Sequence, residues 1–244
     1  YEYSAKHMEE LGGWEKDNDY LEYLINVPDK VPEKLSKLSE MIEKRYNLHV
    51  KKLTKKEIFE GGYGNKIFKL INDTYKDIYG FSELSDRQID QYINMYFPFA
   101  DLDLITVIVD GNKDNAIAGM GITIPSLSRA LQKCRRGRLL PFGWWHILRA
   151  IKYSKTDGVD LLLLGFLPEY RSKGANALLF NDLIPRYVER GFKWGESQVE
   201  MESNAGVQSQ WAMFDTVNHK RRRCYKKDIS AHLSPAKEEN GQAD

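Results

Sequence analysis

The sequence predicts an α/β fold with a central sheet flanked by helices, and three observations predict it. The run Leu161 to Phe180, LLLLGFLPEYRSKGANALLF, reads as a buried apolar strand, a turn carrying Arg171, Lys173 and Gly174, and then a helix. Leu104 to Val109 is rich in β-branched residues, and the polar turn Asp110 to Asn115 returns it as Ala116 to Ile124, a hairpin. Ile67, Leu70, Ile71, Tyr75, Ile78 and Tyr79 recur at helical spacing.

The remaining elements follow in order. Tyr3 to Ile25 reads as a helix with a glycine C-cap at Leu11-Gly12, then a strand over Tyr20 to Ile25. Residues 27–47 form a connector, punctuated by Pro28 and Pro32. Its apolar stripe Leu35, Leu38, Met41, Ile42 and Tyr46 makes it an amphipathic helix. Leu48 to Leu53 is a short strand, and the glycines at 61, 62 and 64 form a loop. Ser85 with Gln88 is a capping box for a second helix, which ends before Pro98. The helix that begins at Gly174 contains Pro185, which removes one backbone bond and predicts a kink. Lys193 to Val199 is a strand, Val207 to Phe214 a helix, and Lys220 to Lys227 a closing strand. One domain thus spans 48–229 with an insertion at 126–157, and the polar, aperiodic stretch 230–244 reads as a disordered tail.

Composition sets the bounds. A chain of 244 residues holds one domain, or one domain and a fragment. With 42% apolar and 29% charged residues it is an ordinary globular sequence. A net charge of +1 argues against a dedicated nucleic-acid binder, so no DNA partner is expected. Cys134 and Cys224 form no metal-type spacing and read as reduced thiols, which places the protein in the cytoplasm with no metal. No apolar run reaches the roughly 18 residues that span a bilayer. The chain opens on Tyr1, which predicts a piece of something longer.

A strand feeding a glycine turn that opens a helix is a ready anion site. The first N–H groups of the helix have no internal partner, and its dipole favours negative charge. Neither the P-loop pattern nor the dinucleotide Gly-x-Gly-x-x-Gly is present. An ordinary corner with a solvated basic turn is the plainer reading. The spacing Arg171-Ser172-Lys173-Gly174-Ala175-Asn176 resembles motif A of the GCN5-related N-acetyltransferase (GNAT) superfamily, Arg/Gln-x-x-Gly-x-Gly/Ala. Asn176 departs from it, standing where Gly or Ala is usual. Leu11-Gly12, followed here by Gly13-Trp14, resembles the Leu-Gly-Phe that precedes the closing strand of such a domain.

The resemblance implies a mixed sheet and a pyrophosphate cradle for acetyl-CoA or another acyl-CoA at Arg171, Ser172, Lys173, Gly174, Ala175 and Asn176. It implies that Phe166 and Leu167 offer backbone to pantetheine, and that Asn204 lies near the cofactor. It also makes residues 1–26 the tail of a preceding unit, so that the chain is the C-terminal unit of a tandem bacterial protein. The activity implied is acyl transfer, acetyl first, to a small-molecule or peptide amine. Fem-type aminoacyl transfer and a non-catalytic CoA-binding module are alternatives. The tyrosine the family uses as an acid on its last helix is missing, because Trp211 and Phe214 occupy that region and Tyr225 lies too far along. Glu196, Glu200 and Glu202 are the candidate bases. Glu196 and Glu200 share parity and therefore a face, and for each of the three a solvated surface carboxylate is the plainer reading. Acceptor and oligomeric state stay open.

Two basic segments remain. Ser126 to Thr156 clusters Arg129, Lys133, Arg135, Arg136 and Arg138 before Pro141-Phe142-Gly143-Trp144-Trp145-His146. It reads first as a helical hairpin burying its Leu and Trp, next as a lid over the acceptor site, and last as a membrane-surface helix. Lys220 to Lys227 reads as an edge strand whose charge alternates between faces.

Overall fold

The apolar runs build one eight-stranded sheet in the computed structural model, which describes residues 2–153 and 156–229. The strands are β1 (Glu15–Asn26), β2 (Leu48–Lys51), β3 (Ile105–Asp110), β4 (Ala116–Pro125), β5 (Gly158–Phe166), β6 (Trp194–Ser197), β7 (Glu200–Met201) and β8 (Thr216–Lys226). Their order is β2-β3-β4-β5-β6-β1-β7, with β8 on β1. Among the described residues only β5 and β6 run parallel; the other pairs are antiparallel. The sheet is therefore mixed, as expected.

Helices cover both faces. They are α1 (Glu2–Glu10), α2 (Glu33–Tyr46), α3 (Lys55–Phe59), α4 (Tyr63–Tyr75), α5 (Asp86–Tyr96), α6 (Ser128–Gln132), α7 (Gly143–Tyr153), α8 (Pro168–Arg171), α9 (Asn176–Glu189) and α10 (Ala205–Gln208). Side chains of a strand alternate between faces, and β3 shows it. Ile105, Val107 and Val109 join a core with Ile58, Ile67 and Ile93 from α3, α4 and α5, whereas Ile108 joins a core with Leu35, Ile42 and Leu179 from α2 and α9. The 27–47 connector is thus a structural wall, its Leu35 and Ile42 fully buried.

The local signals explain most boundaries. Ser85 and Gln88 form the capping box of α5, which ends at Tyr96 with Phe97 as its C-cap, before the proline. Thr54 and Glu57 form a second box for α3, a helix not anticipated among the glycines that follow. The helix α9 continues through Pro185. The expected helix over Val207 to Phe214 is shorter, α10 followed by a 3-10 turn over Ser209–Met213. The tail 230–244 lies outside the described residues.

One placement was not legible in sequence. The strand β1, read as the tail of a preceding unit, is built into this sheet, with β6 and β7 on one edge and β8 on the other. Its acids neutralise β8. Asp19, fully buried, accepts from Arg221 and Arg223, and Arg223 chiefly holds its carboxyl well below the usual carboxylate range. Glu22 pairs with Lys220 and Arg222. The basic run of β8 is thus split between faces, as its alternation implies.

Phe166, the last residue of β5, lies over Gly119 of β4, its cross-strand partner. A Cβ at position 119 would meet the Phe166 ring at 2.1 Å. Gly119→Ala is therefore expected to displace that ring and lower stability by about 1–3 kcal/mol, as measured by urea denaturation. An unchanged midpoint would show the ring to be freely mobile.

Candidate functional site

The strands β5 and β6 pair only from Gly158↔Trp194 to Leu161↔Ser197. Beyond Leu161, β5 runs on to Phe166 without β6, which breaks off after Ser197 and resumes as β7 against β1. Ser197 contributes to the break: its Oγ accepts from Tyr23 N at 3.0 Å and donates to Gln198 O. A gap therefore opens in the middle of the sheet, with β5 as one lip.

Carbonyls left without a partner on the open edge of a strand need donors, and β5 finds them. Tyr75 Oη, at the end of α4, donates to Leu164 O at 3.0 Å. Arg171 Nε donates to Phe166 O at 2.9 Å, and its Nη2 to Thr74 O at 2.9 Å. The Arg171 guanidinium is thus turned back to tie the corner to β5 and α4. Leu167 N donates to Ala118 O of β4, so its N–H serves the sheet.

The turn after β5 is held on every side. Tyr170, 2% exposed, donates to Asp110 at 2.7 Å, and Glu169 pairs with Lys113 at 3.0 Å, both on the hairpin turn. Lys173 places its ammonium over the rings of Tyr170 and Tyr46. Gly174 has φ +75°, a left-handed conformation that favours glycine, and a Cβ there would lie 3.2 Å from Ile42 of α2. Ala175 is buried and Asn176 opens α9. Among the described residues the N–H groups of Gly174, Ala175 and Asn176 meet no backbone acceptor. The cationic side chains Arg171 and Lys173 are internally engaged, and the backbone N–H groups of residues 174–176 are open polar groups of the turn.

The candidate carboxylates keep different company. Glu200, on β7 and 9% exposed, accepts both Oε bonds from Trp211 Nε1, at 2.9 and 3.1 Å. Burial pushes its carboxyl up to about 7, against the opposing bonds from Trp211 and Ser197. Burial first, and the Glu200 charge after it, also raise the phenols of Tyr75 and Tyr23. Glu200, on β7, and Leu164, on β5 with its Tyr75 donor, lie on the strands either side of the break. Glu196 instead meets Lys220 and His219. Glu202 is paired with Lys16 and Arg221. Parity does not carry Glu196 and Glu200 to a common environment, because the break at Gln198–Val199 interrupts the strand.

Asn204 caps α10, its Oδ1 accepting from Val207 N at 3.3 Å. Glu22, Glu196 and His219 could be taken for metal ligands, but Lys220 bonds both glutamates and fills the place of a cation. Tyr75 was missed in sequence because its helical stripe reads as core. The one sign was a hydroxyl on the last turn of that stripe.

The chain is similar in fold to solved structures. A GCN5-related N-acetyltransferase from Sphaerobacter thermophilus matches 93% of this chain and 56% of its own, with a TM-score of 0.58 and 13% identity. A fungal multi-domain beta-N-acetylglucosaminidase with a GCN5-related glucosamine N-acetyltransferase region matches 91% of this chain and 22% of its own, at 0.55 and 12%. The fold is that of the GCN5-related N-acetyltransferases, one on which acyltransferases are built. Among curated proteins, a bacterial ceramide synthase of Caulobacter vibrioides (strain NA1000 / CB15N) is 21% identical over 188 residues, 72% of this chain. The chain spans 44% of that relative's length. No family model matches the chain.

Proposed function

We propose that this chain is an acyl-CoA-dependent N-acyltransferase. What supports the reading is the break between β5 and β6, with an N–H-lined glycine turn following β5 and a carboxyl raised to about 7, Glu200, on β7. The pyrophosphate of the cofactor rests on the N–H groups of residues 174–176, where the N-terminus of α9 favours an anion. The pantetheine follows β5 into the gap. The acceptor amine attacks the thioester carbonyl, a C–N bond forms and the C–S bond breaks. Glu200 takes the amine proton, and Tyr75 supplies one to the departing thiolate, taking it back from water. The phenol comes from α4 rather than from the segment after α10, where Trp211 instead orients the base. The curated relative is named for making a ceramide, an N-acyl amide, which supports an amine acceptor and a fatty acyl donor beside the acetyl donor.

Calorimetry with CoA, acetyl-CoA and palmitoyl-CoA tests the cofactor, and thiol release with a panel of amines tests the reaction. Saturable binding and amine-dependent release are expected. No binding up to about 1 mM, the upper end of ordinary KM values, would sink the reading. Binding with no release across the panel would leave a non-catalytic CoA module. Tyr75→Phe is expected to lower kcat by about 10²-fold with little change in acyl-CoA affinity. An unchanged kcat would remove Tyr75 from the reaction.

A further inference from the structure

The insertion 126–157 separates size from burial. In α7 the residues turned to the body are Gly143 and Ala150, whereas Trp144 and Trp145 are 48% and 42% exposed. Before it, Leu140 and Phe142 are 76% and 71% exposed at the tip of the turn. The hairpin reading expected these side chains to be buried; the structure buries the small ones. An unpartnered apolar face of this kind marks a binding surface.

Charge says what covers it. The insertion holds eight of the chain's 36 Lys and Arg and one of its 35 Asp and Glu, Asp157, so the rest of the chain is net acidic. Among the described residues Lys133, Arg135, Arg136, Arg138, Arg149 and Lys152 have no ion-pair partner. Behind the exposed face lies a cavity of about 470 Å³ walled by Arg129, Lys133, His146, Arg149 and Thr156. The Thr156 hydroxyl is buried there with no hydrogen-bond partner. Asp157, paired with Arg129 at 2.8 Å, is the acid on that wall. The cavity flanks the start of β5, about eight residues and so roughly 25 Å along the strand from the glycine turn.

We propose that this insertion docks the protein on an anionic phospholipid surface. Phe142, Leu140 and the two tryptophans enter the interface, and the cavity takes a headgroup phosphate. A lipid fits better than an acidic protein for a specific reason. Trp144 Nε1 already donates to Pro141 O at 2.9 Å, so its ring enters an apolar medium with no donor left open. The cations beside it carry long stems that reach back to the headgroups. This inference stands on the insertion alone and does not require the cofactor reading.

The test is sedimentation of the 244-residue protein with phosphatidylcholine vesicles and with phosphatidylcholine–phosphatidylglycerol vesicles, read together with tryptophan fluorescence. Binding to the anionic vesicles is expected to be tighter by about tenfold or more, weakened by salt, with a blue shift. Lys133→Glu with Arg149→Glu should reduce it by about tenfold or more. Phe142→Ser, in an exposed turn, should abolish the blue shift while the circular dichroism stays native. Binding to neither vesicle overturns the proposal, as does equal binding to both. So does retention by soluble glycerophosphate or an acidic protein with no vesicle binding, or full binding by natively folded variants.

Discussion

Glu200→Gln lowers acyl transfer by about 10²–10⁴-fold, the range for losing a positioned general base, and leaves acyl-CoA binding in place. Gln keeps the Trp211 indole bond through its carbonyl oxygen, so the change removes a proton acceptor and little else. The pH profile separates this from a structural loss. The unmodified protein should gain activity as pH rises through about 7, the value to which burial raises Glu200, because only the carboxylate accepts a proton. The variant should lose that limb. Stability moves the other way. The folded state holds the Glu200 proton more tightly than the unfolded chain does, so stability falls as pH rises from the ordinary carboxylate range towards about 7. Gln has no charge to desolvate, so the variant should lack this slope and equal or exceed the unmodified protein above neutrality in urea titrations. Unchanged kcat with an unchanged pH profile would remove Glu200 from the reaction.

Features that depend on near neighbours were legible in the sequence. The capping box at Ser85 and Gln88, the hairpin over 104–124 and the corner at 161–180 each rest on residues a few positions apart, and each forms as read. Features set by distant partners were not legible. Nothing near Asp19 announces that Arg223, 204 residues later, will bury its charge. Arg171 reads as a phosphate-binding cation until the unpaired carbonyls of Thr74 and Phe166 turn it inward. Parity placed Glu196 beside Glu200, but a two-residue break gave one a lysine and a histidine and the other an indole in the core. The charge asymmetry of the insertion was countable in the sequence. That its glycine and alanine face inward, and its tryptophans outward, required the packing of α7.

Gly174→Val should abolish acyl-CoA binding. At φ +75° a β-branched residue strains the backbone, and its side chain would press on Ile42, whose Cδ1 lies 3.2 Å from the position of a Cβ. The helix α2 is fixed there by fully buried Leu35 and Ile42, so it cannot yield without disturbing the core. The turn must then move, and the N–H groups of residues 174–176 lose their convergence on one point. Gly174→Ala carries the backbone penalty of about 1–2 kcal/mol with a smaller displacement, so its affinity should fall between the two. Gly191→Ala supplies the control. Gly191 also has a positive φ, +74°, but a Cβ there meets nothing within 4 Å, and it sits beyond the far end of α9. That variant should lose comparable stability and keep its acyl-CoA affinity. Calorimetry with acetyl-CoA and palmitoyl-CoA, with thermal melts of all three proteins, reads both quantities. Full affinity in Gly174→Val would show that the cofactor does not rest on this turn. Equal loss of affinity in Gly191→Ala would show that lowered stability, rather than the geometry of the turn, removes binding.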